Sequence, residues 1–208
     1  MTQLEFMFSR APASLAIIVA IVVVSLIGFR SREFTERFLL YPWKLFRGKQ
    51  YERLIVSGFL HADMMHLLFN LIALYSVSMY VEAAAGTPAF LVIYFGSLII
   101  SGIIPAIRKR NDPDYRALGA SGAVSGLFFA GMLYFPEAKV MLLFLPIPMP
   151  WPVFAVLFIA GSMYGARRKW DNVAHDVHIY GALSGLLLTI AVDPSSLGTF
   201  LHAVGLGG

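Results

Sequence analysis

Cysteine is absent from the 208 residues, and charge is scarce at 13%. Without cysteine there are no disulfides, no thiolate metal sites and no thiol nucleophile. So little charge, beside a hydrophobic share of 58% and a mean hydropathy of +0.73, excludes a soluble domain. Internal repeats, low-complexity tracts and linkers are missing too, so the expectation is one domain over residues 1–208 of an all-α integral membrane protein. A pI near 9.4 points to anionic lipid headgroups as partners and not to nucleic acid. No cofactor is implied, and the sequence leaves the oligomeric state open.

Runs of roughly 17 to 25 residues without charge are long enough to cross a hydrocarbon core of about 30 Å. A scan for such runs, with some shorter ones, gives six helices at residues 12–29, 63–81, 88–107, 118–135, 152–165 and 173–192. The first carries no charge between Arg10 and Arg30, and it differs from a signal peptide in lacking a small-residue cleavage site. The cluster Arg108, Lys109 and Arg110 stops the third, and Asp193 with Pro194 ends the sixth. Prolines at 146, 148, 150 and 152 forbid a regular helix, which predicts an extended loop before a short fifth helix, with a re-entrant segment as the alternative. Residues 31–60 mix Arg and Lys with Phe34, Phe38, Tyr41, Trp43 and Phe46, as an interfacial first loop does.

A polar side chain in lipid is costly unless paired, so intramembrane serine and histidine are functional candidates. Ser121 lies near the start of the fourth helix and His178 near the start of the sixth. His66 and Asn70, four apart, share one face near the start of the second. Even-numbered helices of an up-and-down bundle run the same way, which puts all three starts on one side of the membrane. A serine hydroxyl is a weak nucleophile until an imidazole takes its proton, so Ser121 and His178 form one hypothesis. The pairs Gly122/Gly126 and Gly181/Gly185 have the small-xxx-small spacing of closely packed helices. A zinc site at His175 and His178 with His61 or His66 is the competing reading. It has no HExxH motif and no outer carboxylates beyond Asp63, Asp171 and Asp176, so no metal is expected.

Three motifs in this order, His61 to Asn70 with His66 between them, Gly119-Ala120-Ser121-Gly122, and His178 ahead of Gly181, resemble the rhomboid family of intramembrane serine proteases. The resemblance spans roughly residues 12–192. It implies a six-transmembrane-helix rhomboid-like bundle and a serine-type endopeptidase that cleaves transmembrane protein substrates. By the same resemblance Ser121 is the nucleophile and His178 the general base and then acid, a dyad without a carboxylate. His66 and Asn70 would join the Ser121 backbone N–H in stabilising the oxyanion. A bacterial inner membrane is the expected location. The alternative is a catalytically idle rhomboid-like protein that binds transmembrane clients in membrane quality control.

Several positions depart from the family pattern. Glu52 precedes Arg53 where many members have an aromatic residue. Ser125 stands where an aromatic often packs on the catalytic histidine, which leaves Phe69, Tyr180 or another neighbour to orient His178. His61 is expected to order the site entrance or a water network, and His175 to be loop-side or structural. Orientation stays open. The resemblance implies an inside N-terminus, yet that places every Lys and Arg except Arg10 and Lys139 outside, against the positive-inside rule.

Overall fold

The computed structural model describes residues 9–142, 145–168 and 175–207, most of them helical. Helix α1 (Pro12–Arg30) opens on a proline, whose missing N–H would have had no helical partner, and runs uncharged to Arg30. The expected loop over 31–60 is folded into α2 (Arg32–Phe38), α3 (Pro42–Arg47), α4 (Arg53–Val56) and a 3-10 turn (Ser57–Phe59). Ser31 caps α2 by accepting from the Phe34 N–H at 3.1 Å, and Pro42 opens α3. Helices this short carry no sustained apolar stripe, so their composition reads as loop.

Next come α5 (Met64–Ala85), α6 (Thr87–Arg108), α7 (Ser121–Tyr134), α8 (Trp151–Arg168) and α9 (His175–Val192). Residues 173 and 174 of the expected sixth helix lie outside the described residues. A further helix, α10 (Ser195–Ala203), leaves α9 at 114° and had no counterpart in the expectation. The central element is α7. It is buried on nearly all sides and packed by α5, α6 and α9, as suits a helix apolar all round.

One expectation needs correction. The chain is mostly helical but not all-α, because β1 (Lys139–Leu142) and β2 (Leu145–Pro150) form an antiparallel hairpin between α7 and α8. Prolines at every second position deny a helix its donors, while an extended strand can still pair through the residues between them. The count of six crossings is not established by length alone. Among the described residues, α1, α5 and α6 are long and apolar enough to span a membrane, with a fourth if α9 and α10 count as one bent span. The chain is therefore a multi-pass membrane protein in which α7 and the apolar part of α8, Trp151–Tyr164, are short.

Helix α5 also continues past its expected end at Val81, because Glu82 is not a solvated stop. Its side chain is buried, with Oε1 accepting from the Ala13 N–H at 3.0 Å and from Thr87 Oγ1 at 2.7 Å, and Oε2 from the Ser14 N–H at 2.7 Å. Ala13 and Ser14 lie in the first turn of α1, where backbone N–H groups lack helical partners. Glu82 thus ties the starts of α1 and α6 to the end of α5. Glu82→Ala is expected to cost on the order of 3 kcal/mol by orphaning these donors, read as a lower thermal unfolding midpoint in detergent.

Candidate active site

Ser121 is the first residue of α7, and the turn before it is fixed from three directions. Leu40 and Ala117 exchange both backbone hydrogen bonds, at 2.9 and 3.1 Å. The Gly119 N–H donates to the Ser57 carbonyl at 2.9 Å, and the Ala120 N–H makes a long 3.5 Å bond to His61 Nε2. Gly119 has a φ of +122°, a region that L side chains rarely enter. A Cβ there would also sit 3.0 Å from His66 Cε1 and 3.1 Å from His66 Nε2. The glycine of the motif therefore admits both the backbone turn and the His66 imidazole.

Arg53 supports this arrangement from inside the folded first loop. It is fully buried, its Nη1 donating to the carbonyls of Leu39 at 2.7 Å and Glu36 at 3.1 Å, its Nε to Gln50 Oε1 at 2.7 Å. The Leu39 carbonyl is one residue from the Leu40 bridge to Ala117, so Arg53 acts on the Ser121 turn through the loop. Glu52, the residue that breaks the family pattern, pairs with Arg37 at 2.8 Å on the outside of that loop.

His61 is nearly inaccessible, at 3% exposure, and bridges α1 to the Ser121 turn. With Nε2 accepting from Ala120, the proton sits on Nδ1, which donates to Ser25 Oγ at 2.9 Å; Ser25 in turn donates to the Phe59 carbonyl at 2.8 Å. Burial, helped by the neighbouring His66 ring and opposed by Asp63, pushes the His61 imidazole down to about 4. A group depressed on folding adds stability above its unfolded value, near 6.5, and loses it as pH falls towards the folded value. Wild-type protein is expected to lose thermal stability between about pH 6.5 and 4, a slope that His61→Asn should flatten; melting curves across that range check it.

His66 and Asn70 stand on the first two turns of α5. Asp63 caps this helix, its Oδ1 accepting from the His66 N–H at 2.8 Å. His66 Nδ1 accepts from the Ala62 N–H at 3.4 Å, which leaves Nε2, the nitrogen facing Gly119, as the protonated donor. Asn70 is buried and gives one amide hydrogen to the His66 carbonyl at 3.0 Å, keeping a second for the cavity. The α7 N-terminus adds its own donors, since Ala120 supplies no side-chain cap.

Across the cavity, α7 and α9 meet through their glycines. A Cβ on Gly181 would overlap the Gly122 carbonyl, and one on Gly185 the Gly126 carbonyl. This contact sets His178, one turn before Gly181, opposite the start of α7. Phe158 of α8 lies beside the imidazole, with ring centroids 6.1 Å apart and planes tilted by 37°. The Tyr180 hydroxyl, an expected orienting partner, accepts from Arg108 Nη1 at 2.8 Å.

Ser121, His178, His66 and Asn70 all line one cavity of about 670 Å³, with Asp63, Phe69, Arg116 and Val177 among its walls. Donors, hydroxyl and imidazole thus open on one cavity. Arg53 and the Leu40–Ala117 bridge were not singled out as site supports, and His61, expected to order the site entrance or a water network, instead ties the Ala120 N–H to Ser25 of α1. The side chains of His175 and Asp171 lie outside the described residues. Among the described residues no three His, Asp or Glu side chains cluster as a metal site would require.

A family model described as "Rhomboid domain" matches residues 48–194. Rhomboid protein 1, mitochondrial, of Saccharomyces cerevisiae is 28% identical over 138 residues, covering 64% of this chain and 40% of its own length. Presenilin-associated rhomboid-like protein, mitochondrial, of Homo sapiens is 28% identical over 135 residues, 64% of this chain and 36% of its own. Putative rhomboid protease YdcA of Bacillus subtilis is 41% identical over 76 residues, 36% of this chain and 37% of its own. The match therefore takes in two fifths or less of each relative. The family model, by contrast, covers most of this chain, from the folded first loop through both glycine contacts to the end of α9, and the chain belongs to the rhomboid family.

Proposed function

We propose that this chain is an intramembrane serine endopeptidase that hydrolyses peptide bonds in or near transmembrane segments of membrane-anchored proteins. The observation that carries the reading is the convergence of Ser121, His178, His66 and Asn70 on one cavity at the uncapped start of α7. His178 takes the Ser121 hydroxyl proton as Oγ attacks the substrate carbonyl. The oxyanion meets His66 Nε2–H, the free Asn70 amide hydrogen and the Ser121 backbone N–H. His178 then protonates the leaving amine, and water hydrolyses the acyl-enzyme. The substrate must unwind locally, because a helical carbonyl is hydrogen-bonded and shielded.

The same reading takes α1, α5, α6, α7, α8 and α9 as six crossings of one rhomboid-like domain. The membrane is taken as a bacterial cell membrane, in keeping with the Bacillus subtilis relative, although the yeast and human relatives are named as mitochondrial. The test is incubation of the purified protein in liposomes with several model transmembrane substrates. Cleavage within or beside the transmembrane segment is expected. A folded wild type that cuts none of them overturns the protease reading in favour of client binding.

A further inference from the structure

We propose that the β1–β2 hairpin is a membrane-dipping element, buried at interfacial depth in the leaflet on the far side of the protein from Ser121. The proposal rests on the multi-pass architecture and is independent of the catalytic reading.

Length is the first argument. The 14 residues of α7 rise about 21 Å, against a hydrocarbon thickness of about 30 Å, so chain beyond at least one of its ends lies within the apolar layer. Before α7 comes a charged connection, Arg108 to Arg116. After it comes the hairpin, and from Val140 to Ala166 the sequence holds no ionisable Asp, Glu, Lys, Arg or His. Of the two, the hairpin is the end that lipid accepts.

Backbone chemistry is the second argument. The Trp151 N–H donates to the Ala138 carbonyl at 3.2 Å, and the register pairs Val140 with Met149 and Lys139 with Pro150. The register becomes irregular between Val140 and Leu142, but next to the regular pairs the N–H directions alternate, so Met149 faces β1 while Pro148 and Pro150 lie on the outer edge. Pro148 and Pro150 have no N–H to leave orphaned in a poorly hydrated layer. The carbonyls of that edge still require water or headgroup donors, which sets interfacial rather than central depth. An edge short of donors also resists pairing with a strand of another chain.

Side chains supply the third. Val140 and Met149 pack against the core at the hairpin root, whereas Met141 and Ile147 are 62% and 58% exposed. Val153, Val156 and Leu157 of α8, the helix that follows β2 directly, are exposed apolar residues as well. Lys139, at the hairpin entrance, has the long side chain that reaches headgroups from such a position.

The absence of native cysteine makes the test direct. Single variants Met141→Cys, Ile147→Cys, Val156→Cys and Asp114→Cys of the full chain are labelled with a small environment-sensitive fluorophore and placed in lipid nanodiscs. Quenching is measured with a lipid carrying a nitroxide on its upper acyl chain and with aqueous iodide. Expected is strong nitroxide quenching at 141 and 147, matching position 156, and iodide quenching only at 114. Iodide quenching at 141 and 147 equal to that at 114 would overturn the proposal. So would protection from both quenchers together with energy transfer between labelled copies, which would mean that a second copy covers the hairpin.

Discussion

Ser121→Ala is expected to lower cleavage of a reconstituted transmembrane substrate by about 10⁶-fold, to the floor set by the remaining oxyanion donors. His178→Ala is expected to fall to the same floor, and the double variant to go little further, because the two residues act as one unit. Single alanine variants of His66 and Asn70 should lose about 10²- to 10³-fold each, with kcat falling more than KM rises, since their donors act on charge that exists only in the transition state. Single-turnover kinetics in liposomes separates these outcomes. Equal losses in kcat and in substrate affinity for Asn70→Ala would instead mark it as a tie between helix turns, consistent with its bond to the His66 carbonyl.

The second large effect is expected from Gly181→Val. A side chain there must displace the Gly122 backbone, which has no rotamer to yield, so α9 is forced away from α7 at the level of Ser121 and His178. The cost is expected to be at least about 3 kcal/mol, above ordinary overpacking because backbone meets backbone. Thermal unfolding should shift down, and the protein that remains folded should be inactive. Gly161→Ala is the matched control: nothing lies within 4 Å of its added Cβ, so its stability should change by no more than about 1 kcal/mol and its activity should persist.

The parts of the molecule written in local chemistry were legible in the sequence. Spacing alone put Ser121, His178, His66 and Asn70 at helix starts on one side, and the paired glycines marked the α7–α9 contact. What escaped was long-range. Glu82 looks like a surface charge until the first turn of α1, some 70 residues away in sequence, supplies its donors. Arg53 and His61 stand in recognisable motif positions, but their bonds to Leu39 and Ala120, which brace the Ser121 turn, exist only once the loop folds. The hairpin was half visible: alternating prolines excluded a helix, but pairing with residues 139–142 depends on a tertiary register that no local pattern encodes.

The account stands most directly on Ser121 being a nucleophile activated by His178. Wild type, Ser121→Ala and His178→Ala proteins in liposomes would be treated with a fluorophosphonate, which phosphonylates only an activated serine, and the adduct located by mass spectrometry. The account predicts one adduct, on Ser121, in the wild type, and none in either variant. Wild-type protein that cleaves a transmembrane substrate while Ser121 stays unmodified, or substrate cleavage that survives Ser121→Ala, would contradict it.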